Sequence, residues 1–109
     1  MSYSDLKALL GEYNWDDGFE VPNKILNDPV CDLALALEVF YLADGFALLN
    51  GFVNKTGLED WKQFIITLYN NILNGKYLKT NNRYEIPLTK VQKYKFRKKS
   101  VPEIFLTDL

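Results

Sequence analysis

Residues 28–45 read DPVCDLALALEVFYLADG, and this stretch decides the architecture. Leu33, Leu35, Ala36, Leu37, Val39, Phe40, Leu42 and Ala43 leave almost no polar face. A helix without a wide polar face has to be covered by neighbours on several sides. Asp32 stands at the expected N-cap, and Gly45 where a C′ glycine would close the helix. Asp32, Glu38 and Asp44 interrupt the apolar run from Val30 to Leu49. A membrane span needs about 20 nearly uninterrupted apolar residues, so the segment reads as a buried core helix with no role in a membrane.

The flanking sequence supplies the cover. SYSDLKALLGEY, residues 2–13, places Leu6, Leu9, Leu10 and Tyr13 at helical spacing, with Ser2 or Ser4 as cap and Gly11 near the end. VPNKILND reads as a second short helix with Pro22 in its first turn, where a missing N–H costs nothing. FALLNGF adds a short helical turn after the central helix. TGLEDWKQFIITLYNNILNGK carries a T-x-x-E capping box at Thr56 and Glu59. Its stripe runs through Leu58, Trp61, Ile65, Leu68 and Ile72, widened by Phe64, Tyr69 and Leu73, before Gly75 stops it. Tyr84, Ile86 and Leu88 alternate as an extended segment does. Residues 84–99 stay open between helix and strand: Thr89 can cap a helix, yet Tyr94 and Phe96 alternate with Lys93, Lys95 and Arg97. Ser100 and Glu103 stand in capping-box register around Pro102. The expectation is a mostly α, compact single-domain bundle spanning residues 1–109, with four or five helices around the central one and room for a short C-terminal hairpin.

Composition narrows the chemistry. The chain has 109 residues and no histidine, one cysteine and 15% aromatic residues. Without histidine the usual general acid–base group near neutral pH is missing, as are Ser–His–Asp and Cys–His nucleophiles. Cys31 alone can build neither a disulfide framework nor a structural zinc site. The N-terminus lacks a basic start and an apolar signal region, which reads as a cytoplasmic address. No catalytic, cofactor or metal residues are assigned, and the protein reads as a non-enzyme.

The net charge of −1 conceals a polarity. Residues 1–44 hold nine acids against Lys7 and Lys24, a net of −7, and residues 76–109 hold nine bases against three acids, a net of +6. Such asymmetry points to a charged partner, unless the two halves neutralise one another in the fold. NWDDGFEVP, residues 14–22, concentrates Asp16, Asp17 and Glu20 beside Trp15 and Phe19. Acids steer a basic partner and desolvated aromatics hold it, so these five are candidate partner-binding residues. The competing reading is a turn, because Asn14 and Asp16 can bond their own backbone and Asp-Gly supplies the bend. A second candidate surface is the basic run Lys90, Lys93, Lys95, Arg97, Lys98 and Lys99, interleaved with Tyr94 and Phe96. It offers phosphate contacts and stacking aromatics to nucleic acid without any established binding motif. A third, weaker reading is a carboxylate enzyme with a divalent metal on Asp16, Asp17 and Glu20.

The run YNWDDGFEVPNKILNDPVCDLALALEVFYLADG, then W…LYNNILNGKY, PLTKVQKYKFRKK and VPEIFL, resembles a small bacterial family called domain of unknown function 4274. The resemblance spans about residues 10–107. Proteins of this kind resemble the immunity proteins of bacterial toxin systems, including contact-dependent growth inhibition. What this implies is binding and occlusion of a cognate protein toxin, with a nuclease domain the expected target. It assigns no residues.

Overall fold

The computed structural model describes residues 1–51 and 58–109. Six α-helices lie among the described residues: α1 Tyr3–Glu12, α2 Glu20–Asn27, α3 Leu33–Leu42, α4 Gly45–Leu49, α5 Glu59–Leu73 and α6 Lys90–Lys98. Two 3-10 turns, Trp15–Asp17 and Glu103–Phe105, complete the regular structure, and no strand occurs among these residues. None of the described helices is long and apolar enough to cross a membrane.

α3 is the hub. From Leu33 to Leu37, and again at Val39 and Phe40, its side chains are buried. α2, α4 and α5 pack directly on it. α1 adds Leu6 and Leu10 to the core, and its Lys7 meets Glu38 of α3 at 2.9 Å. The broad stripe of α5 enters as read, with Phe64, Ile65, Leu68 and Ile72 buried. Leu58 and Leu73, expected on that stripe, are exposed instead; they stand at the two ends of α5. Thr56 lies outside the described residues; α5 has Leu58 at its N-cap, with no side-chain cap bond there.

The head of α3 is held by a buried carboxylate. Asp32 is 3% exposed. One oxygen accepts from the Leu35 N–H at 2.9 Å, closing the helix as an N-cap does. The other accepts from Thr80 Oγ1 at 2.6 Å and Asn82 Nδ2 at 2.8 Å. The Leu33 N–H donates to the Leu78 carbonyl at 2.9 Å. The loop after α5 is thereby tied to the start of the central helix. Burial pushes the Asp32 carboxyl up, but the bonds from Thr80, Asn82, Leu35 and Tyr3 outweigh it and hold its pKa below the ordinary range.

The foot of α3 departs from the expected glycine stop. Asp44, at φ +65°, takes the left-handed C′ position, and Gly45 begins α4. Asp tolerates this conformation better than most residues. Gly45 is needed for a different reason: a Cβ there would stand 2.2 Å from the Phe40 ring. Trp61 of α5 fixes the same corner by donating its indole N–H to the Ala43 carbonyl at 2.7 Å.

The last third wraps the bundle. Residues 90–98 form a helix, opened by a reciprocal Thr89–Gln92 capping box, and no hairpin forms among the described residues. The helix separates the two aromatics that a strand would have put on one face: Phe96 is buried against Phe46, whereas Tyr94 is 57% exposed. Residues 84–88 form no regular element: the Leu88 N–H turns back to the Ile86 carbonyl at 2.8 Å, Ile86 is buried, and the segment is tied to the chain end, where the Leu109 N–H reaches the Tyr84 carbonyl and the Ile86 N–H reaches Asp108. Ser100 is no cap; it is left-handed at φ +64°, and Glu103 turns away to Arg97. Phe105, fully buried, stacks on Tyr69 at 4.7 Å and meets Phe40 at 4.9 Å, while its carbonyl accepts from the Tyr41 hydroxyl.

Two outcomes follow for stability. Asp32→Asn leaves the Thr80 and Asn82 donors facing an amide N–H₂ and costs about 2 kcal/mol at neutral pH in denaturant titration. The native carboxylate's contribution is full above its unfolded value of about 3.9 and is lost as pH falls through the lower folded value, so the variant shows a shallower acid limb. Phe105→Ala opens a cavity between α3 and α5 and lowers stability by about 3–5 kcal/mol, read as a drop in urea midpoint at constant slope.

Candidate functional site

The Asp-Asp-Gly stretch is a turn that carries a surface. The Asn14 side chain accepts from the Asp16 N–H at 3.0 Å and its carbonyl from the Asp17 N–H at 3.0 Å, winding the 3-10 turn. Gly18, at φ +89°, supplies the reversal that a side chain would strain. The Tyr13 hydroxyl locks the turn by donating to the Gly18 carbonyl at 2.6 Å. Neither aspartate side chain takes part, and both are exposed. Partial burial, followed by the charges of Asp17 and Glu20, raises the Tyr13 pKa above its ordinary value.

The turn sets two aromatics at the edge of a groove. Trp15 and Phe19 are half-buried; Trp15 meets Tyr13 edge-on at 5.5 Å, and Phe19 stacks on Phe64 at 4.5 Å. Across from them stand Leu42 of α3, Phe46 of α4 and Trp61 of α5, enclosing about 510 Å³ with Leu58 and Asp44. Leu42 is 48% exposed and Leu58 41%. Large apolar side chains gathered this openly on a small protein mark an interaction surface more often than chance.

Acids lie on the segments that supply this groove. Asp16 and Asp17 are exposed on the turn that carries Trp15, and Glu20 is exposed at the start of α2 next to Phe19. The fold adds Glu59 and Asp60 from the first turn of α5, which share a smaller pocket with Phe19, Leu58 and Trp61. The N-terminal position of these two on α5 also suits the helix dipole. Leu42, Trp61 and Asp60 carried no sequence signal for this site, since each is an ordinary member of its own helix. The five predicted residues do lie in one neighbourhood, but the acids do not converge: among the described residues, no three of Cys, Asp and Glu gather closely enough to hold a metal ion.

Ion pairs among the described residues leave the polarity of charge in place. Among the described residues, the ion pairs join Met1 to Asp28, Lys7 to Glu38, Lys93 to Asp108 and Arg97 to Glu103. None links the acidic first 44 residues to the basic last third. The basic run is itself partly consumed: Arg97 makes a two-pronged bond to Glu103 at 2.7 and 3.3 Å, and Lys93 lies 3.4 Å from Asp108. Lys99 reaches Asn50 at 3.5 Å, and Lys98 covers the Tyr94 ring at 5.0 Å. Lys90 and Lys95 remain on the outer face with Val91. That is a thin footprint for a phosphate backbone. Cys31 is buried, and burial followed by the Asp32 charge pushes its thiol up to about 12, far from a nucleophilic range.

The chain matches the family described as Domain of unknown function (DUF4274) over residues 2–73, and it belongs to that family. The match ends with α5, earlier than the resemblance read from the sequence, so it contains the whole acidic, aromatic corner and leaves α6 outside. No curated protein and no solved structure matches the chain.

Leu42→Ser tests whether the exposed corner serves the fold. Because Leu42 is about half exposed, the substitution costs only about 1–1.5 kcal/mol in denaturant titration, well short of a fully buried leucine.

Proposed function

We propose that this protein is a non-catalytic immunity protein that acts in the cytoplasm by binding a cognate toxin domain and covering it. The observation that carries this reading is the corner where Trp15, Phe19, Leu42, Phe46 and Trp61 line an open apolar groove, with Glu59 and Asp60 in the adjoining pocket and the exposed Asp16, Asp17 and Glu20 on the segment that supplies Trp15 and Phe19. Such a surface fits a basic partner, for which a nuclease domain is the expected class. Acids speed the encounter, and a protruding apolar side chain seated in the groove slows release. The unneutralised charge polarity supports it, since a partner surface is where uncompensated acids gain most. Nucleic-acid binding by Lys90, Lys93, Lys95, Arg97, Lys98 and Lys99 is the second reading, weakened by the internal partners of Lys93 and Arg97.

Co-expression with each candidate toxin domain found in a neighbouring gene tests the proposal. Cells are expected to survive only when the protein is present, and the purified pair to form a one-to-one complex. Replacing Asp16 and Asp17 by Asn and Glu20 by Gln slows association about tenfold at low salt and has little effect at high salt. Leu42→Ser raises the dissociation rate about tenfold with little change in association. Survival indifferent to the protein, or a complex unaffected by both variants, rules against this surface.

A further inference from the structure

A second groove lies on the other side of Phe19, between α2 and α5, with a volume of about 600 Å³. Its two walls are unusual. α2 presents Asn23 and Asn27, and α5 presents Gln63, Thr67 and Asn71. On each helix these residues recur every four positions, so they stand in a line along one face. The floor is apolar and buried, formed by Leu26, Phe64, Leu68 and Tyr77. Among the described residues, the side chains of Asn23, Gln63 and Thr67 make no hydrogen bond, and Asn27 receives only a long one, from Lys76 at 3.4 Å. The amides therefore do not stitch the two helices together.

A carboxamide both donates and accepts, as a peptide unit does. Four helical residues advance about 6.0 Å. Two residues of an extended chain advance about 6.4–6.8 Å. Rows of amides at this spacing match the repeat with which an extended strand presents its N–H and C=O groups to one side. The floor is closed, and the half-buried Phe19 is the apolar edge left open to an inward-pointing side chain. From Asp60 to Asn71 the wall runs about 16 Å, the length of about five extended residues. The ends differ in charge: Glu20 and Asp60 stand together at one, and Lys76 at the other. We propose that the α2–α5 groove binds an extended peptide segment through its backbone, with a basic residue beside Glu20 and Asp60. Buried Phe64 and Tyr77 offer no open ring face, which disfavours a saccharide as occupant. This inference does not rest on the toxin reading, although Phe19, Glu20 and Asp60 border both surfaces.

The test is a random heptapeptide library displayed on phage and panned against the full chain, followed by calorimetry of the selected peptides. Selected peptides are expected to carry Lys or Arg near one end, with an apolar residue beside Phe19. Asn23→Ala and Gln63→Ala, both at exposed positions, each weaken binding about fivefold, and Glu20→Lys reverses the preference for the basic end. N-methylation of alternate backbone amides abolishes binding at one register and spares the other. Leu42→Ser, on the neighbouring corner, leaves it unchanged. Enrichment equal to that of the Asn23→Ala, Gln63→Ala double variant overturns the proposal. So does binding that survives N-methylation at every position, or binding of a disaccharide panel in place of peptides.

Discussion

α3 has no face fit for water, and the rest of the fold is the consequence. A helix buried from Leu33 to Leu37 and again at Val39 and Phe40 gains most from the hydrophobic effect when every side is covered. Each other element contributes a patch to that cover. α1 brings Leu6 and Leu10, α2 brings Ile25 and Leu26, α5 brings its broad stripe, and the chain end brings Phe105 and Leu106. Only the two ends of α3 present backbone that packing cannot satisfy. Asp32 closes one and recruits the 78–82 loop while doing so. At the other, Asp44 turns the chain and Gly45 lets it pass against Phe40.

That arrangement also explains where an interaction surface can exist. Leu42 sits at the foot of α3, where the cover thins, and is left about half exposed. The 3-10 turn and the start of α5 flank the same place, so aromatics and acids from three distant segments meet there. The turn has a structural job, carried by Asn14, Gly18 and Tyr13, and this leaves the carboxylates of Asp16 and Asp17 directed to solvent. Turn and recognition are therefore not competing accounts of NWDDGF: the backbone serves one and the side chains are available for the other.

The basic segment shows the opposite outcome. As a string of six cations it looked like a single surface, but helical geometry distributes those side chains around an axis. Lys93 and Arg97 turn toward acids from the chain's last residues, and Phe96 goes to the core. A linear cluster of charge becomes a patch only if the local structure keeps it on one side.

The sequence by itself determined what depends on local pattern. An all-apolar stretch specifies a buried helix, Asp32 its cap, Gly75 a stop, and Asn14 to Gly18 a turn, because each rests on contacts within a few residues. The tertiary structure alone decided what depends on neighbours far along the chain. It gave Asp32 its second role with Thr80 and Asn82, made Gly45 necessary through the Phe40 ring and not through a helix stop, and chose helix over strand for residues 90–98. It also brought Leu42, Trp61 and Asp60 to the Trp15–Glu20 segment. No spacing rule encodes such meetings, since they are set by how the faces of separate helices are forced around one apolar core.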